Sequence, residues 1–92
     1  MPQIIVQHKV SDYDKWERSF QDSDIIRKMF GEQNYTIFRN SEEPNDVVIL
    51  FEWKDTKKAI KYASSAELGR IMKLAGVLGT PAIYITGEEL DS

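Results

Sequence analysis

His8 is the one histidine in the chain, and cysteine is absent, so His8 alone has an ordinary pKa near neutrality. As a general base it could take the proton of a phenol or an activated carbon acid. The plainer alternative is an imidazole that ends a strand and bonds a neighbouring backbone group. Asp12, the nearest carboxylate in sequence, is placed to cap a helix, so no nucleophile, base and acid triad is spelled out. One histidine without cysteine gives no basis for a transition-metal site. Neither a metal nor a cofactor is expected.

At about 100° per residue, Arg27 falls inside an otherwise apolar stripe, with Ser23 one turn before it. A guanidinium there, with Ser23, binds a carboxylate or an enolate oxygen of a ligand. Alternatively it snorkels from the helix end or pairs with Glu52 or another acid of the chain. Trp53 closes an apolar strand just ahead of a helix cap, where a flat ring suits a planar ligand. Trp16, Phe20 and Phe30 share the helical stripe and read as core, with Phe20 also a candidate wall of a ligand pocket. Lys54, Lys57, Lys58 and Lys61 form a solvated stripe with no assigned role.

These residues need a scaffold. Gln3 to Val10 alternates as a strand whose start is apolar on both faces, and Asp12 caps a single helix from Tyr13 to Phe30, closed by Gly31. Tyr35 to Arg39 and Val47 to Trp53 form a hairpin around a polar loop holding Pro44-Asn45. Asp55 caps a short helix to Tyr62 or Ala63, and Ser64-Ser65-Ala66-Glu67 reads as a capping box that starts a second piece. Leu68, Ile71, Met72 and Ala75 make its apolar face, Gly76 stops it, and Ala82 to Thr86 is the last strand. The order βαββαβ predicts an α+β, ferredoxin-like fold over residues 1–92 as one domain, with a four-stranded antiparallel sheet and both helical segments on one face.

Val47-Val48-Ile49-Leu50-Phe51 is apolar on both faces of a strand, so the sheet must be covered twice. A chain of 92 residues has too little material for both covers. A second copy is the expected second cover, which makes the protein a homodimer. The net charge of −3 and pI near 5.1 point away from nucleic acid. No apolar h-region or long apolar run precedes the first strand, which points away from secretion and from membranes. A cytoplasmic protein is expected. His8 and Trp53 close antiparallel neighbouring strands at opposite ends, so they stand well over ~10 Å apart and form no compact dyad.

Phe51-Glu52-Trp53 followed by Ala59-Ile60-Lys61-Tyr62-Ala63-Ser64-Ser65, and the opening His8-Lys9-Val10-Ser11-Asp12-Tyr13-Asp14-Lys15-Trp16, resemble the antibiotic biosynthesis monooxygenase-like group of the dimeric α/β barrel superfamily. The resemblance implies two sheets facing each other across a homodimer, with a pocket in each subunit between sheet and helices. Relatives of this kind include cofactor-independent monooxygenases of aromatic polyketides, quinol oxygenases and haem-degrading enzymes. In the last, an Asn, a Trp and a His line the pocket where this chain has His8, Trp53 and Tyr62. Only the Trp is kept, which counts against haem degradation. The missing helix histidine also weakens a polyketide cyclase reading.

The resulting expectation is a homodimeric protein that binds a small planar or aromatic molecule, as a monooxygenase-like or cyclase-like enzyme. His8 would deprotonate the ligand, Trp53 stack on it, and Tyr62 and Arg27 steady its developing oxyanion. A non-catalytic ligand-binding or stress-associated dimer is the second reading. Haem binding through the Tyr62 phenolate is the third.

Overall fold

The computed structural model describes residues 1–87. Its elements run β1 (Gln3–Val10), α1 (Tyr13–Asp22), α2 (Asp24–Phe30), β2 (Glu32–Arg39), β3 (Asp46–Trp53), α3 (Thr56–Ala63), α4 (Ala66–Leu74) and β4 (Val77–Ile85). The strands form one antiparallel sheet in the order β2-β3-β1-β4. This is the ferredoxin-like α+β arrangement that the element order implied, with two helices in each crossover.

The helix expected over Tyr13 to Phe30 is two helices. Ser23 breaks it because its hydroxyl donates to the Phe20 carbonyl at 3.1 Å, a local bond that competes with helix continuation. The second break falls where expected, but its cap is Ser65 alone: the Leu68 N–H donates to Ser65 Oγ at 3.2 Å, while Glu67 pairs with Arg70. Asp12 and Asp55 cap α1 and α3 as their positions suggested. β2 begins at Glu32 rather than Tyr35, and β4 at Val77 rather than Ala82.

The core lies on one face of the sheet. Alternation brings Ile4, Val6, Val10, Val47, Ile49, Phe51 and Trp53 to that face, where Trp16, Phe20, Ala59, Tyr62, Leu68 and Ala75 of the helical layer cover them. On the opposite face Ile5, Val48 and Leu50 are half-buried, and Phe38 and Tyr84 are exposed.

Two irregularities shape the helix-facing side. Asn34 pairs with Glu52 but Glu32 pairs with Trp53, so Gln33 is bulged out and Glu32 takes the inward place that regular pairing would give Gln33. On the other side, Gln7 pairs with Ala82 and Lys9 with Leu78. Two extra residues of β4 therefore lie opposite His8, in a segment holding Gly79 at φ +67° and Pro81, which has no N–H to give to a ladder.

Candidate functional site

A cavity opens between the helix-facing side of the sheet and the helices above it. His8, Trp16, Phe20, Arg27, Tyr62 and Met72 are among its walls, the remainder being mostly aliphatic. The cavity volume is about 40 Å³, against the ~10–15 Å³ that one water requires.

Strand alternation carries His8 into this cavity, because it shares the inward face of β1 with Ile4, Val6 and Val10. The side chain is 4% exposed, and neither Nδ1 nor Nε2 has a hydrogen-bond partner among the described residues. Its ring stands edge-on to Trp16, with centroids 5.6 Å apart at 75°. Burial pushes the imidazole pKa down from 6.5 to about 4, the Asp46 charge opposing it. At neutral pH His8 is therefore uncharged, with one N–H and one lone pair open.

Arg27 also reaches the wall, but its hydrogen bonds are already made. Its Nε–H donates to Glu32 Oε2 at 2.5 Å, and Nη1 donates to the Phe20 carbonyl at 2.7 Å and to Ser23 Oγ at 2.8 Å. The guanidinium lies 3.6 Å over the Phe20 ring, and Nη2 stands 3.5 Å from Asp24. The acid that pairs with Arg27 is Glu32, delivered by the β2 bulge. Ser23 donates to one carbonyl and accepts from Arg27, so both its hydroxyl functions have partners inside the chain.

Tyr62, on α3, is stacked on Trp53 with centroids 4.8 Å apart. Its phenol is pushed up to about 12 by burial, with Arg27 opposing and Glu32 adding to the shift. It stays protonated near neutrality. Trp53 is fully buried, its indole N–H donates to the Phe30 carbonyl at 2.9 Å, and it stands behind the cavity walls Tyr62 and Phe51 rather than lining the space itself. His8 pairs with Val47, whereas the Trp53 N–H bonds the Pro2 carbonyl. The two side chains are thus offset by six residue steps along the sheet, about 20 Å.

No family model and no curated protein matches the sequence. Solved structures do match. A structure of an antibiotic biosynthesis monooxygenase superposes with a TM-score of 0.72 at 15% identity, covering 98% of this chain and 100% of that one. SnoaB, a cofactor-independent oxygenase from Streptomyces nogalater, gives 0.71 at 13% identity over 98% and 94% of the two chains. A conserved protein from Methanosarcina mazei gives 0.64 at 18%, over 96% and 92%. The chain has the antibiotic biosynthesis monooxygenase fold.

Within that fold, haem does not fit this cavity. The space is far too small for a macrocycle, and burial holds Tyr62 as a neutral phenol rather than a phenolate ligand. Among the described residues no three His, Cys, Asp or Glu side chains gather as a metal site, and no helix is long and apolar enough to cross a membrane.

Two features of the site have only a faint mark in the sequence. Trp16 reads as core from its place in the stripe, yet it forms the wall against which His8 stands. Glu32 follows Gly31 in what reads as a turn, and only the bulge brings it inward.

Proposed function

We propose that this protein is a cytoplasmic homodimer that binds a small aromatic molecule in each subunit's cavity and acts on it as a cofactor-independent monooxygenase-like enzyme. The observation that carries the reading is His8, a buried imidazole with both nitrogens unpaired in an apolar cavity. Buried polar groups are almost always satisfied, and a catalytic role is one of the recognised reasons for an exception. The fold of a cofactor-independent oxygenase supports the chemistry.

His8 accepts the proton of a ring hydroxyl or an activated C–H. Trp16 and Phe20 flank the ligand, the place first assigned to Trp53, and the Tyr62 phenol donates to the oxyanion that develops. The resulting carbanion gives one electron to dioxygen and recombines with it as a peroxide, so no cofactor is required. An imidazole of such low basicity takes a proton only from an acidic, electron-rich substrate, whose own reactivity therefore carries much of the step. Cyclase-like chemistry on the same carbanion is the variant of this reading. The dimer is supported by the apolar open face of the sheet, where Ile5, Val48, Leu50, Phe38 and Tyr84 lie together.

The test is oxygen uptake with a dihydroxyaromatic substrate. Uptake above autoxidation that disappears in His8→Ala supports the enzyme. Saturable binding with no added uptake would instead favour a non-catalytic ligand-binding or stress-associated dimer, a reading to which the closed Arg27–Glu32 pair lends weight.

A further inference from the structure

Residues 54–61 hold Lys54, Lys57, Lys58 and Lys61 against a single acid, Asp55, in a chain whose net charge is −3. Asp55 caps α3, its carboxylate accepting from the Lys58 N–H at 2.7 Å. Among the described residues none of the four lysines stands in an ion pair. In sequence this stripe reads as a solvated face, but the fold sets apolar side chains beside it. α3 packs inward through Ala59 and Tyr62, so at helical spacing Lys57, Ile60 and Lys61 share its outer face. α2 lies alongside, with Phe30 meeting Tyr62 at a ring-centroid distance of 5.3 Å. It buries Arg27, which turns Ile25, Lys28 and Met29 outward. Lys54 stands where the two helices meet, its backbone N–H bonded to the Gly31 carbonyl at 2.9 Å. Met29 is 80% exposed, Ile25 71% and Ile60 53%, so these side chains form an apolar patch set among cations.

Such a face calls for a partner that is anionic and apolar at once. Protein interfaces are depleted in lysine, and a second copy of this face would set cation against cation. Nucleic-acid phosphates would answer the lysines but leave the protruding methionine and isoleucines in water. A bilayer with anionic head groups answers both, since the ammoniums stay at the head groups while the apolar side chains reach the acyl boundary. We propose that the outer face of α2 and α3 docks this protein on an anionic lipid surface, with the lysines at the head groups and Ile25, Met29 and Ile60 entering the interface. Docking of this kind lies on the bilayer and does not cross it, and no helix among the described residues is long and apolar enough to cross. The face points away from the sheet, so two copies paired sheet to sheet leave it outward. It is independent of what the cavity binds.

The test is co-flotation of the full chain with vesicles at physiological ionic strength. Vesicles of phosphatidylcholine mixed with phosphatidylglycerol should bind the protein about tenfold or more tightly than phosphatidylcholine alone. Lys57→Glu combined with Lys61→Glu should remove that preference. Met29→Ser combined with Ile60→Ser should weaken binding to the mixed vesicles by about tenfold and leave a remainder that salt abolishes. All four side chains are exposed, and an unchanged circular dichroism spectrum confirms that the variants fold. No binding to the mixed vesicles would overturn the proposal. Binding that the lysine changes abolish and the Met29 and Ile60 changes leave untouched would overturn it too, since charge alone would then be the attraction. A short RNA duplex held as tightly as the mixed vesicles, and as tightly by the Met29→Ser, Ile60→Ser variant, would reassign the face to nucleic acid.

Discussion

The Nε of Arg27 lies 2.5 Å from Glu32 Oε2, with both side chains 2% exposed. The pair joins α2 to the start of β2 beneath Tyr35 and Phe20, whose rings lie 5.6 and 3.6 Å from the guanidinium carbon. Cutting one partner leaves a buried charge uncompensated, which costs about 3–5 kcal/mol. Glu32→Leu should therefore lower unfolding free energy by that amount in urea titrations. Arg27→Met combined with Glu32→Leu should cost clearly less than the sum of the single changes, because no orphan charge remains. Additive losses would mean the pair is not coupled.

His8 should make stability fall with acid. Its pKa is held down at about 4 in the folded protein against 6.5 ordinarily, so between those values the unfolded chain binds more protons. The associated stability is fully present above pH 6.5 and lost as pH falls toward about 4, on the order of 3 kcal/mol in all. His8→Phe should flatten that part of the profile. At pH 7 it should also unfold later than wild type by about 1 kcal/mol, since two unsatisfied buried nitrogens are replaced by carbon. A variant with the wild-type acid slope would show that His8 is not the titrating group.

Much of the scaffold is legible because its signals are local. Asp12, Asp55, Gly31 and Gly76 stand at the helix ends they mark, and the alternation of Ile4, Val6, His8 and Val10 alone puts His8 on the core face. What is hidden depends on register and on partners far away in sequence. The stripe of Trp16, Phe20 and Ser23 runs on toward Phe30 without a gap, so nothing in its spacing marks the break at Ser23. Parity along β2 would put Gln33 and Tyr35 inside, and a bulge puts Glu32 there instead. Trp53 does face the core, but at the far end of the sheet from His8, behind the cavity walls Tyr62 and Phe51. That His8 lacks a partner among the described residues is a property of the packed molecule, which its place on β1 does not reveal.

Gly31 has φ +121°, and a Cβ on it would stand 2.8 Å from the Trp53 indole nitrogen. That nitrogen donates to Phe30, the residue before the glycine. Gly31→Ala therefore meets both a disfavoured backbone angle and a clash, and should cost roughly 1–3 kcal/mol. Thermal unfolding monitored by near-ultraviolet circular dichroism of the indoles reports it. An unchanged midpoint would contradict this packing.

The open face of the sheet provides the test of assembly. Leu50 is half-buried in the single chain and pairs across the strands with Ile5 and Thr36. Leu50→Glu would place a charge at the centre of a sheet-to-sheet interface. Native mass spectrometry should give a dimer for the wild-type protein and a monomer for the variant. A wild-type monomer at micromolar concentration would remove the dimer from the proposed function.

The most direct test of the ligand site is the nitrogen spectrum of the His8 ring. The chain has one histidine, so its two ring nitrogens are identified in a long-range 15N–1H correlation without further assignment. In the free protein the pattern should be that of a neutral ring at pH 7. On adding 4-methylphenol, one ring nitrogen should shift as it gains a hydrogen-bond partner, while the ring stays neutral. Saturating addition that leaves both nitrogens where they were would contradict the assignment of His8 as the group that receives the ligand.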